Sequence, residues 1–273
     1  MKPRIVLATR TTKDGFDACK KQLDEYFRNN DVIKKIYIIC NSYKDTFKIG
    51  KIECRVLFNQ EPIGPTAFNS VIDELNYEKD DKKEDYYLLT YSKEVKLLNT
   101  NIDEMIKKIK TNKNLLVVGY KFEIVDEKGR TDKKLNNELQ AYYYNKNLLA
   151  YKVPWNTCAI WNYELFNKYV VKFDEITAKN PFNPIGVSID GICSQTDHQG
   201  MEDGLAIAEA VTQSNKKLGF KLLKRPLLNW KVNSGNNEVK RHREKLARKD
   251  TVLRNFMAVR NYSVKDLETA EIK

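Results

Sequence analysis

The chain has 273 residues, and its 48 Lys and Arg against 37 Asp and Glu give a formal net charge of +11. With 41% hydrophobic residues, including 15 Tyr, 11 Phe and 3 Trp, it can bury the core of one large α/β domain, which argues against disorder except at the ends. No apolar run nears the ~20 residues of a bilayer-spanning helix, and the five widely spaced cysteines lack a C-x-x-C pair, which argues against a disulfide framework or zinc cluster and places the chain in a reducing cytoplasm.

Arg4 to Thr9 (RIVLAT) predicts a first buried strand, its apolar stretch too brief for a signal-peptide core. Phe16, Cys19, Leu23, Tyr26 and Phe27 recur at helical spacing and predict a helix over 16–27. Ile36 to Cys40 and Cys54 to Phe58 read as the second and third strands. Pro65 to Leu75 reads as a helix, Tyr86 to Tyr91 as a strand, Ile102 to Ile109 as a helix and Leu115 to Tyr120 as a strand. The charge-dense stretch from Tyr77 to Asp85 predicts a solvated loop, and the tyrosine-rich stretch from Glu123 to Tyr151 a hairpin or insertion that shapes a cleft. From Lys240 to Arg260 the chain turns strongly basic with helical apolar spacing at Leu246, Leu253, Phe256 and Met257, and the last dozen residues are expected to fray.

Short apolar runs alternating with helical patterns are the signature of βαβ units around a largely parallel sheet. The expected fold class is therefore α/β, with residues 1–235 forming one domain and a basic helical extension over 236–273 packed on it. In such sheets ligands sit beyond the carboxyl ends of the strands. Four of the expected strand ends carry polar residues: Thr9-Arg10-Thr11, Asn41-Ser42, Asn59 to Asn69, and Ser92-Lys93-Glu94. In the third of these, Gly64 permits a tight approach and Pro65 suits a helix's first turn, whose free N–H groups favour an anion. Neither G-x-G-x-x-G nor G-x-x-x-x-G-K-[ST] is present, which disfavours dinucleotide and P-loop binding.

The order of these pieces resembles the GT-A class of nucleotide-sugar glycosyltransferases, in particular its large inverting family. The opening strand and loop Leu7-Ala8-Thr9-Arg10-Thr11, the turn Cys40 to Asp45, the spaced Asn59, Gly64, Ala67 and Asn69, and the pair Glu202-Asp203 stand where that family has its motifs. The resemblance, over roughly Arg4 to Ala210, implies a Rossmann-like sheet and a nucleoside-diphosphate sugar as donor. It implies nucleotide contacts from Thr9, Arg10, Thr11, Asn41, Asn59, Gly64, Asn69, Ser92 and Lys93, and a donor-sugar contact from Trp155. It also implies a catalytic base at Asp203 or Glu202, with Asp197 and His198 close upstream, and a divalent metal, Mn2+ or Mg2+, held at the D-x-D position.

That position reads Ser92-Lys93-Glu94, so Glu94 is its sole carboxylate. Either Glu94 ligates the metal alone, or Lys93 supplies the positive charge, or the site is inactive. The basic run containing Arg241, His242 and Arg243 suits the diphosphate, a polyanionic acceptor such as DNA carrying a hydroxylated base, or an anionic membrane surface, and equally a solvated helix face. The expected activity is sugar transfer to a hydroxyl acceptor. The alternatives are a catalytically inactive scaffold that binds nucleic acid or serves assembly, and a nucleotidyltransferase.

Overall fold

The computed structural model describes residues 4–42, 45–78, 86–125, 130–131, 133–173, 202–231 and 236–272. The strands are β1 (Arg4–Arg10), β2 (Ile33–Cys40), β3 (Thr46–Ile49), β4 (Ile52–Phe58), β5 (Tyr86–Tyr91), β6 (Leu115–Val125), β7 (Cys158–Asn162) and β8 (Gly219–Lys231). The helices are α1 (Phe16–Phe27), α2 (Asn69–Tyr77), α3 (Asn99–Thr111), α4 (Lys133–Asn145), α5 (Tyr163–Tyr169), α6 (Glu202–Gln213), α7 (Asn236–Val259) and α8 (Val264–Thr269).

All of these strands join one sheet in the order β3-β4-β2-β1-β5-β7-β6-β8. Strands β4, β2, β1 and β5 pair in parallel. Strand β7 runs against both β5 and β6, so β6 and its parallel partner β8 regain the direction of β1. A strand buried on both faces shows a continuous apolar run rather than alternation, and β1 does so. Its Ile5 and Leu7 pack with Cys19, Leu23 and Phe27 of α1 and Met105 of α3. Its Val6 and Ala8 pack on the other face with Val71 of α2, Phe166 of α5 and Leu205 of α6.

Several sequence expectations need correction. Hairpin strand β3 precedes β4 and pairs with it antiparallel, closing that edge through Gly50, whose φ of 58° an L-residue adopts only under strain. Helix α2 begins after a 3-10 turn over Pro65–Phe68 and runs through Tyr77. Next to it, Glu78 accepts hydrogen bonds from Lys35, Tyr37 and Arg55 and so anchors the helix to the sheet, while 79–85 lie outside the described residues. The stretch expected as a hairpin or insertion contains helix α4, because Asn136, Leu139 and Tyr143 are buried along one helical face. The last dozen residues do not fray. Ser263 caps α8 by accepting the Asp266 N–H, Leu267 is buried, and the Ile272 N–H donates to the Phe220 carbonyl of β8 at 2.8 Å.

Helix α7 carries Leu246, Leu253 and Met257 into the core. Among the described residues no helix is long and apolar enough to cross a membrane.

On β6, Gly119 faces the segment leading into β7. A Cβ there would stand 2.7 Å from Pro154 Cβ and 3.2 Å from the Cys158 carbonyl. Gly119→Ala is expected to cost about 1–3 kcal/mol in urea unfolding, the usual range for overpacking. An unchanged midpoint would mean that the 153–158 segment yields freely.

Candidate active site at the carboxyl edge of the sheet

Parallel pairing brings the carboxyl ends of β4, β2, β1 and β5 to one edge. Asn41, just after β2, accepts the Lys13 backbone N–H on its Oδ1 at 2.7 Å, tying the loop after β1 to the end of β2. Thr9 is fully buried, below the surface a ligand would meet, and Thr11 is nearly so. The Thr11 hydroxyl and the exposed Lys93 ammonium converge on Gly15, where a Cβ would lie 2.7 Å from Thr11 Oγ1 and 3.2 Å from Lys93 Nζ. Gly15 ends a 3-10 turn over Lys13–Gly15 that runs directly into α1, the Phe16 N–H donating to the Lys13 carbonyl. Sequence reasoning passed over this glycine because its value lies in what crowds around it.

Arg10 turns away from that loop toward α6. Its guanidinium donates to the Gly64 carbonyl at 2.8 Å, lies 4.9 Å from the centroid of the Phe68 ring, and approaches Glu202 Oε1 at 3.8 Å. Asn59 and Asn69 are spent on the scaffold. Asn59 accepts the Glu61 N–H and donates to Ser70, whereas Asn69 makes paired bonds of 2.8 Å with the backbone of Phe173. Gly64 contributes its carbonyl to Arg10.

Glu202 and Asp203 open α6, and both are buried. Asp203 Oδ2 accepts the Asn156 N–H and Oδ1 the Gly204 N–H, each at 2.8 Å. Burial first, and then the neighbouring Glu202 charge, push the Asp203 carboxyl up to about 7. Asn156 is a second residue that sequence reasoning left without a role, although it sits inside the Trp155 to Trp161 stretch already singled out. Its Oδ1 accepts from the Trp161 indole N–H at 3.0 Å and from the Thr90 hydroxyl at 3.3 Å. Indole nitrogen only donates, so the Asn156 amide nitrogen points elsewhere, buried without a hydrogen-bond partner among the described residues. Trp155 stacks on Phe122, with ring centroids 5.5 Å apart and an interplanar angle of 24°.

The Ser92 N–H donates to the Thr157 carbonyl at 2.9 Å, which joins the turn after β5 to the same segment. In that turn the Ser92 hydroxyl donates to Glu94 Oε2 at 3.2 Å. Among the described residues no three His, Cys, Asp or Glu side chains gather into a metal cluster. An Mg2+-like ion bound through one carboxylate, with phosphate oxygens and water as its other ligands, needs no such cluster, and the exposed Glu94 fits that mode.

Arg243 on α7 reaches Glu138 at 3.4 Å and lies 5.7 Å from the Tyr142 ring centroid, facing α4. The side chains of Arg241 and His242, and all of Asp197 and His198, lie outside the described residues.

No protein-family model and no curated protein matches the sequence. Solved structures do match the fold. Glucosyl-3-phosphoglycerate synthase from Mycobacterium tuberculosis, in complex with phosphoglyceric acid, matches with a TM-score of 0.51 at 9% identity, over 96% of this chain and 81% of that one. A mannosyltransferase from Pyrobaculum calidifontis, in complex with GDP-Man and Mn2+, matches with a TM-score of 0.51 at 10% identity, over 99% and 73%. The sheet order and these neighbours agree: this chain has the GT-A fold of nucleotide-sugar glycosyltransferases.

Proposed function

We propose that the protein transfers a sugar, with inversion, from a nucleoside-diphosphate donor to an acceptor hydroxyl. The observation that supports this most is Glu202, a buried carboxylate held beside Arg10 at the ligand edge of a GT-A sheet. In the proposed step the acceptor oxygen bonds to the anomeric carbon as the bond from that carbon to the diphosphate oxygen breaks. The hydroxyl proton passes to a carboxylate, and the nucleoside diphosphate leaves.

Between the two carboxylates the roles divide. Both oxygens of Asp203 already accept backbone N–H groups, which suits a positioning residue that holds α6 against the 155–157 segment. Glu202 faces Arg10 instead, and we assign it the base. The donor's nucleoside lies along the Thr11 and Asn41 loops. Its phosphates meet the exposed Lys93 ammonium beside the loop after β1. Glu94 would hold a divalent cation there, which when bound offsets charge on the leaving diphosphate.

A panel of UDP-, GDP-, CMP- and dTDP-sugars, assayed for nucleotide release with Mn2+ and with EDTA, tests this reading. One donor is expected to turn over, and Glu202→Gln is expected to slow release about 10²–10⁴-fold with donor affinity within a few-fold of wild type. Donor binding without release in the unmodified chain would favour an inactive scaffold, and no donor binding at all would overturn the assignment.

The raised Asp203 carboxyl also has a thermodynamic consequence. An unfolded aspartate titrates near ~3.9, so folding takes up a proton between that pH and the folded value of about 7. The stability this proton uptake contributes is complete below the unfolded pKa and is lost as pH rises toward about 7. Relative to Asp203→Asn, unmodified protein should lose stability between pH 5 and 7 with a slope of up to about 1.4 kcal/mol per pH unit. Equal slopes in urea titrations would show that Asp203 is ionised throughout that range.

A further inference from the structure

Trp155 also walls an open surface recess between β6, β8, α4 and the short turn Leu149–Tyr151. Its walls are aromatic: Trp155 stacked on Phe122 on one side, and Tyr143 with Tyr151, ring centroids 4.9 Å apart, on the other. Aromatic faces of this kind suit a flat ring or the C–H face of a sugar.

Lys121, Asn136, Gln140 and the tyrosines bring polar groups into this lining. Lys121 stands half-buried with its Nζ 4.5 Å from the centroid of the Tyr151 ring, and among the described residues no carboxylate pairs with it. Burial and the like charge of Lys224 both depress its pKa, while Glu271 compensates in part. Tyr143, at 4% exposure, keeps its hydroxyl buried without a hydrogen-bond partner among the described residues. A half-buried cation among aromatic walls is the feature that a bound anion would satisfy.

We infer that this recess is the acceptor subsite, and that it takes a sugar ring bearing a phosphate or carboxylate group. The inference rests on the glycosyl-transfer reading for the word acceptor, but the binding it asserts does not need the donor. Trp155 links the recess to the reaction edge, because Asn156, the next residue, donates its N–H to Asp203. The described arginines of α7 point the same way. Arg243 is turned onto Glu138 and Tyr142, and Arg254 is bonded to Asp250 and the Asn147 carbonyl, which favours a small anion in the recess over a nucleic-acid strand along that helix.

The test is donor-free binding of glucose, glucose 6-phosphate, glucuronate and inorganic phosphate to the full chain, followed by calorimetry and by indole fluorescence with Trp155→Phe as the signal control. At least one anionic sugar should bind about tenfold or more tightly than glucose, the scale of a charge-assisted hydrogen bond. Which of the two binds distinguishes phosphate from carboxylate. Lys121→Gln should abolish the preference, Lys121→Arg should restore part of it, and nucleotide-sugar affinity should be unchanged in both. Equal affinity for glucose and its anionic relatives, an unaltered preference in Lys121→Gln, or tighter binding of a short DNA duplex that survives Lys121→Gln would each overturn the inference. Donor turnover without anionic-sugar binding sinks this inference and leaves the proposed activity standing; anionic-sugar binding without donor binding does the reverse.

Discussion

The hydrogen bond from the Asn156 N–H to Asp203 ties together two parts of the chain 47 residues apart. Helix α6 carries Glu202, and the segment before β7 carries Trp155 and receives the turn after β5 through the Ser92–Thr157 bond. Neither part belongs to the parallel strands, and the Arg10–Glu202 pair, the β5–β7 pairing and the packing of Leu205 on β1 hold both to them. Burial makes the bond matter. A carboxylate at 5% exposure must be matched by donors or protonated, and Asp203 has two backbone donors. Asn156 is held in turn by Trp161 and Thr90, whose side chains lie in the core, so the core's packing reaches the site through one amide side chain.

The two halves of the ligand edge differ in chemistry. The half built by β1, β2 and β5 presents the exposed Lys93 ammonium beside Gly15, over the buried Thr11. The half beyond β7 is lined by rings, with Lys121 as its half-buried charge. The carboxylate pair stands where α6 meets both. A group-transfer enzyme needs this division, since a leaving diphosphate and an incoming hydroxyl must approach one carbon from opposite sides.

The chain's charge of +11 says less than its size suggests. Lys35 and Arg55 are committed to Glu53, Glu74 and Glu78 at the foot of β2 and β4, Lys152 to Glu268, and Arg254 to Asp250. These pairs staple α2 to the sheet, α8 to the turn near Asn147, and one turn of α7 to the next. Lys93 and Lys121 are ordinary lysines in composition and differ only in what surrounds them.

From the sequence alone came the α/β class and the parallel strands, because apolar runs buried on both faces and helices at 3.6-residue spacing are local patterns. The pair Glu202-Asp203 and the stretch from Trp155 were also legible as candidates. Only the tertiary structure separated them, by showing Asp203 bound to two backbone N–H groups and Glu202 turned to Arg10. It also took Asn59 and Asn69 out of the donor side, since their amides hold a turn and the backbone of Phe173. Helix α4, and with it the aromatic recess, was hidden because its buried face carries tyrosine and asparagine where a periodic apolar stripe would be expected. A side chain's type is written in the sequence, but its partner is set by which distant segments the fold brings within 3 Å, and no spacing along the chain encodes that distance.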